Sequence, residues 1–136
     1  MAILDLEKQE IIKQGSFLEK IGFRRTNYEY MINYTSDNIS ICVAFPPCID
    51  ESDITIRYTD TNQVFSVNWI AFVRNKIDPN IKRLKRIKIL LSYMEDNITN
   101  LLNYQYCLES NKLVDKYVEE HRQIFDKAVS DFLSKN

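Results

Sequence analysis

Residues 3–21 carry apolar positions at helical spacing. Leu4, Ile11 and Leu18 recur every seventh residue, and Ile12, Phe17 and Ile21 widen the stripe. Gly15 sits inside this stretch and lowers helix propensity by ~1 kcal/mol relative to Ala, so it marks close packing or a break. Gly22 supplies the C-terminal stop, where a positive φ costs a glycine little.

From Phe23 the period changes to two. Thr26, Tyr28, Tyr30, Ile32 and Tyr34 alternate with polar neighbours, which predicts one half-buried strand. Thr35-Ser36-Asp37-Asn38 is turn chemistry. Ile39, Ile41, Val43 and Phe45 predict an antiparallel partner that Pro46-Pro47 ends. A third strand is predicted from Ser52 to Thr59, followed by a turn at Thr59-Asp60-Thr61-Asn62. Residues 63–75 fit either period: Phe65, Val67, Trp69, Ala71 and Val73 suit a strand, whereas Val67, Ile70, Ala71 and Arg74 suit a helix capped by Ser66. We read a fourth strand that enters a helix near Asn68.

Asp78-Pro79 has the chemistry of a helix start. A heptad seam follows through Leu84, Ile87, Leu91, Met94, Ile98, Leu101, Gln105 and Leu108, with a kink or break expected near 96 where asparagines accumulate. Glu109-Ser110-Asn111 is expected to reopen the chain. A last amphipathic helix is then predicted over 111–134, with Leu113, Val114, Tyr117, Val118, Ile124, Phe125, Ala128 and Phe132 on its stripe. Strands and helices are segregated along the chain. The expected fold is therefore α+β, one domain over 1–136: an N-terminal helix, an antiparallel meander of three to four strands, and two to three C-terminal helices on one face.

Composition narrows the function classes. The 136 residues carry 18 bases, 19 acids, one histidine and two glycines. Two glycines cannot build a glycine-rich phosphate loop, and one histidine removes most metal and acid–base chemistry. No cofactor and no metal are expected. Cys42, Cys48 and Cys107 have no ligand or disulfide spacing and read as small buried hydrophobes. No basic segment followed by an apolar run opens the chain, and no apolar run approaches the ~20 residues that span a bilayer. No membrane partner is expected, and a reducing cytoplasm is the expected location.

His121 falls mid-stripe on the last helix and reads as a core histidine; the functional alternative is a general base or a pH switch. Asp50, Glu51 and Asp53 form an acidic loop that lacks the spacing of a calcium site. Lys82, Arg83, Lys85, Arg86 and Lys88 place five cations within seven positions. If all five met phosphates, duplex binding would have a salt slope near −4.5, at roughly −0.9 per contact. The wheel places Lys85, Arg86, Ile89 and Tyr93 away from the seam, where a Tyr–Ile–Arg mixture suits a protein interface. A homodimer or the last helix would cover Ile89 and Tyr93 equally well.

The stretches Phe17-Leu18-Glu19-Lys20-Ile21-Gly22-Phe23 and Val64-Phe65-Ser66-Val67-Asn68-Trp69-Ile70, set around a strand meander with terminal helices, resemble small bacterial immunity-type proteins. The resemblance implies a non-enzymatic protein that neutralises a polymorphic or contact-dependent toxin by occlusion. We therefore expect a non-catalytic protein-binding module, antitoxin-like, with a cognate toxin as partner. Its expected contacts are Asp50, Glu51, Asp53, Lys85, Arg86, Ile89 and Tyr93, forming a polar and aromatic surface rather than a cleft. The alternative is a nucleic-acid-binding regulator using Lys82, Arg83, Lys85, Arg86 and Lys88, although nucleic acid is not the expected partner. The third reading is a small enzyme with a sheet–helix pocket around His121 and Trp69.

Overall fold

The computed structural model describes residues 2–46 and 52–134, with side chains throughout except at 2–4 and 125. The elements are α1 (Ala2–Gln14), α2 (Ser16–Lys20), β1 (Arg24–Asn27), β2 (Met31–Thr35), β3 (Ile39–Ala44), β4 (Asp53–Tyr58), β5 (Gln63–Ser66), α3 (Val67–Asn75), α4 (Arg83–Asp96), α5 (Ile98–Leu101) and α6 (Tyr104–Ser134). The fold is α+β, and the antiparallel meander runs in chain order with five strands rather than three or four.

The added strand comes from dividing 24–35. Asn27 pairs with Ile32, and the Tyr28 N–H donates to the Met31 carbonyl at 2.8 Å, so Glu29 and Tyr30 form a tight turn. Register then sorts the side chains. Tyr34, Ile41, Ile56 and Phe65 form one cross-strand row and Ile32, Val43 and Ile54 the next. All seven are buried and meet Ile11, Leu18, Ile87, Leu91 and Met94 from the helices. Asn33, Cys42, Thr55 and Ser66 make a polar row on the other face, half-buried. Strand β1 is exposed along its length, and Arg25 on it pairs with Glu19 of α2 at 2.8 Å.

The strand-to-helix switch is built from three side chains. Ser66 ends β5 in extended conformation and its hydroxyl accepts the Trp69 N–H at 3.3 Å, capping α3. Asn68 takes over where the ladder stops. Its amide oxygen accepts the Ile54 N–H at 3.1 Å, and its amide nitrogen donates to the Ser52 carbonyl at 2.9 Å. The side chain thereby satisfies strand β4 as another strand residue would.

Two expected boundaries move. Asp78-Pro79 does not start a helix: Asp78 Oδ1 accepts the Asn80 N–H at 2.8 Å in a local turn, and α4 begins at Arg83. The chain also does not reopen at 109–111. Ser110 is buried, its hydroxyl donating to the Tyr106 carbonyl at 2.7 Å, and α6 runs unbroken for 31 residues. The expected break near 96 is present: Asn97 ends α4, the short α5 follows, and Asn103 Oδ1 accepts the Tyr106 N–H to cap α6.

Candidate functional site

A cleft of about 950 Å³ opens where the end of the sheet meets α3, α6 and the segment 79–82. One wall is aromatic. Because Ser66 and Asn68 fix the first turn of α3, Ile70 and Ala71 turn into the core while Trp69 stays 42% exposed. Phe72 lies edge-on to it with ring centroids 5.9 Å apart. Tyr117 from α6 closes the cluster at 4.8 Å from Phe72 and 6.0 Å from Trp69. The helices that carry these rings are locked to each other by Arg74, whose Nε donates to Ser110 Oγ at 3.0 Å and whose guanidinium lies 4.4 Å from the Tyr106 ring centre.

The rest of the cleft is polar and charged. Arg86 is only 8% exposed; its Nε donates to Ser52 Oγ at 3.0 Å and its Nη1 donates to the Ile81 carbonyl. Lys82 lines the cleft and is exposed. Asp53 sits at its edge, accepting a hydrogen bond from Ser66 Oγ at 3.2 Å. The site thus offers an accessible indole on a rigid aromatic support, in the same cleft as Lys82 and Arg86.

The expected partner face is not formed as a unit. Arg86 and Tyr93 are buried, Ile89 is half-buried and Lys85 is exposed. The heptad reading gave α4 one inner seam, but α4 packs against both α1 and α3, so Arg86, Leu90 and Tyr93 are covered as well as Ile87, Leu91 and Met94. Arg86 and Asp53 do meet at the cleft. Asp50 and Glu51 lie outside the described residues. The basic run is similarly divided: Arg83 is bound to Glu7, Arg86 is buried, and Lys88 stands 3.8 Å from Glu10. Lys82 and Lys85 alone would give a salt slope of about −1.8 on duplex DNA.

His121 is not a core residue. It is exposed, its ring lies over Tyr117 with centroids 3.9 Å apart, and its Nδ1 lies 2.9 Å from the Tyr117 carbonyl oxygen. The cleft therefore forms around Trp69 as the third reading expected, but His121 does not line it. Burial raises the thiol pKa of both Cys42 and Cys107, with Asp53 adding to the rise at Cys42. Cys48 lies outside the described residues. Among the described residues no group of three or more His, Cys, Asp or Glu could hold a metal ion, and no helix is long and apolar enough to cross a membrane.

Sequence reasoning singled out Trp69 but not its supports. Phe72 and Tyr117 lie 45 positions apart, and only the packing of α3 on α6 joins them. No protein-family model matches this chain, and comparisons with curated proteins and with solved structures found no significant match.

Proposed function

We propose that this chain is a non-catalytic protein-binding module of the immunity type, which neutralises a cognate bacterial toxin by occlusion and contacts it through the Trp69 cleft. The observation that carries this reading is the exposed indole of Trp69, held by Phe72 and Tyr117 beside Lys82 and Arg86. Trp, Tyr and Arg are the residues most enriched where binding energy concentrates. A pre-positioned aromatic wall loses little side-chain entropy on contact. Of the two stretches that resemble immunity-type proteins, 64–70 contains Ser66, Asn68 and Trp69, which build this wall. The chemistry suits a partner segment that lays an apolar side chain on Trp69 and reaches Lys82 with a carboxylate.

Coexpression with the product of an adjacent toxin-like gene tests the proposal. Co-purification is expected, with protection of cells from that product. Trp69→Ala is expected to lower affinity at least about thirtyfold, or ~2 kcal/mol. Absence of binding, or binding indifferent to Trp69→Ala in a folded protein, overturns it.

A further inference from the structure

Helix α6 outruns the body it packs on. Up to Tyr117 its inner seam is covered: Cys107 and Ser110 are buried and Val114 and Tyr117 half-buried. From 118 to 134 every described side chain is exposed. These 17 residues extend about 25 Å at 1.5 Å per residue. Yet the seam does not end with the body. Val114, Tyr117, His121, Ile124, Ala128 and Asp131 continue the alternating steps of three and four that helix–helix packing uses. Ile124 is 65% exposed, and Val118, Val129, Phe132 and Leu133 are exposed around it. An amphipathic segment of this length draws most of its helical stability from packing, not from propensity.

We infer that this projecting segment pairs antiparallel with the same segment of a second copy, independently of the Trp69 cleft. The seam is self-complementary in that direction. With a two-fold axis at residue 126, Ile124 of one copy meets Ala128 of the other, a large side chain against a small one, and His121 meets Asp131. On one flank Val118 then lies against Phe132. A parallel pair would instead set His121 on His121 and Asp131 on Asp131, leaving like groups face to face. The antiparallel register has one like-charge contact, between the two Lys127 side chains near the axis, and both reach solvent. It also places the two bodies at opposite ends, so nothing covers the part of α6 that already packs on α3. A single-helix contact only ~25 Å long is far smaller than the ~2,000 Å² or more buried by permanent homodimers, so the dimer is reversible and concentration-dependent.

Sedimentation equilibrium of the full chain over a concentration series reads this directly. A monomer–dimer equilibrium is expected, weakened at least tenfold by Ile124→Glu and, as a second variant, by Phe132→Glu, with circular dichroism confirming the fold of each. His121→Glu and Asp131→Lys are each expected to weaken it, and the double variant to restore it, because the antiparallel register sets position 121 against 131. A chain that stays monomeric at all concentrations overturns the inference. So does a dimer indifferent to Ile124→Glu, or a double charge swap that fails to restore pairing.

Discussion

Glu7 on α1 and Arg83 on α4 form a two-pronged ion pair, with Nε at 2.6 Å from Oε2 and Nη2 at 2.8 Å from Oε1. Glu7 is only 2% exposed, and Arg83 also donates to the Pro46 carbonyl. One clamp thus ties the N-terminal helix to α4 and to the chain leaving β3. Leaving one member of a buried pair without its partner costs about 3–5 kcal/mol, whereas replacing both by apolar groups of similar size is often near neutral. Glu7→Leu is therefore expected to lower stability by about 3–5 kcal/mol, and adding Arg83→Met to recover most of the loss. Urea unfolding of the four proteins in the cycle measures it; equal losses in the single and double variants would refute the account.

A second relationship explains the glycine inside the first helical stretch. A Cβ at Gly15 would lie 2.9 Å from the Tyr34 Cζ and 2.9 Å from the Ile11 carbonyl oxygen, and the Tyr34 hydroxyl already donates to that oxygen at 3.4 Å. Elsewhere in a helix, Gly→Ala would gain up to ~1 kcal/mol. Here overpacking reverses the sign, and Gly15→Ala is expected to cost about 1–3 kcal/mol. Tyr34→Phe removes the crowding hydroxyl. The combined variant should therefore be more stable than the sum of the two single losses predicts, and simple additivity in chemical unfolding would show that the clash is absent.

The local readings that succeeded rest on strong short-range chemistry. Ser66 marked the strand-to-helix switch because a serine hydroxyl can cap the Trp69 N–H, and Gly15 marked a break because it has no side chain to place against Tyr34. The readings that failed depended on partners distant in sequence. Glu29 and Tyr30 turn the chain without glycine, proline or asparagine, so the alternation ran across the hairpin unmarked. Asp78-Pro79 has helix-starting chemistry, but Asp78 closes on Asn80 and the next turns are drawn into the cleft around Arg86. Arg86 and Tyr93 looked exterior on a wheel that assumed one buried face, whereas α4 lies between α1 and α3. The cleft itself needs α3 and α6 side by side, which no local pattern encodes.

Burial also predicts an alkaline limit. The Tyr34 phenol is pushed up to about 12, mainly by burial, with Arg25 opposing and Glu19 adding. Tyr58 and Tyr93 are raised further, again chiefly by burial. A folded-state pKa above the unfolded value of 10.0 means that the folded state holds its proton longer. The stabilisation is complete below pH 10 and is lost as pH climbs toward 12. Unfolding midpoints should thus decline steeply above pH 10, with tyrosinate absorbance rising in step with unfolding. Tyr34→Phe should be less stable at neutral pH yet lose less between pH 10 and 12; an unchanged slope would remove Tyr34 from the explanation.

The cleft makes a final prediction that separates its aromatic wall from its charges. Trp69 presents its indole while Phe72 and Tyr117 hold it, so the wall should contribute to how long a complex lasts, and exposed Lys82 to how fast it forms. Rim charges act mainly on association rate and its salt dependence, whereas loss of a packed anchor acts mainly on dissociation. Trp69→Ala is expected to raise the dissociation rate of the proposed partner complex at least about thirtyfold, with little change in association rate. Lys82→Glu is expected to slow association at low salt, with the difference fading as ionic strength rises. Phe72→Ala should resemble a weaker Trp69→Ala, because the indole loses its edge-on support. Stopped-flow with a fluorophore on the partner resolves these rates across a salt series for every variant, and in chains that keep Trp69 intrinsic tryptophan emission reports the contact because Trp69 is the only tryptophan in the chain. If complex formation leaves that emission unshifted and Lys82→Glu slows association equally at all salt concentrations, the partner docks elsewhere on the molecule.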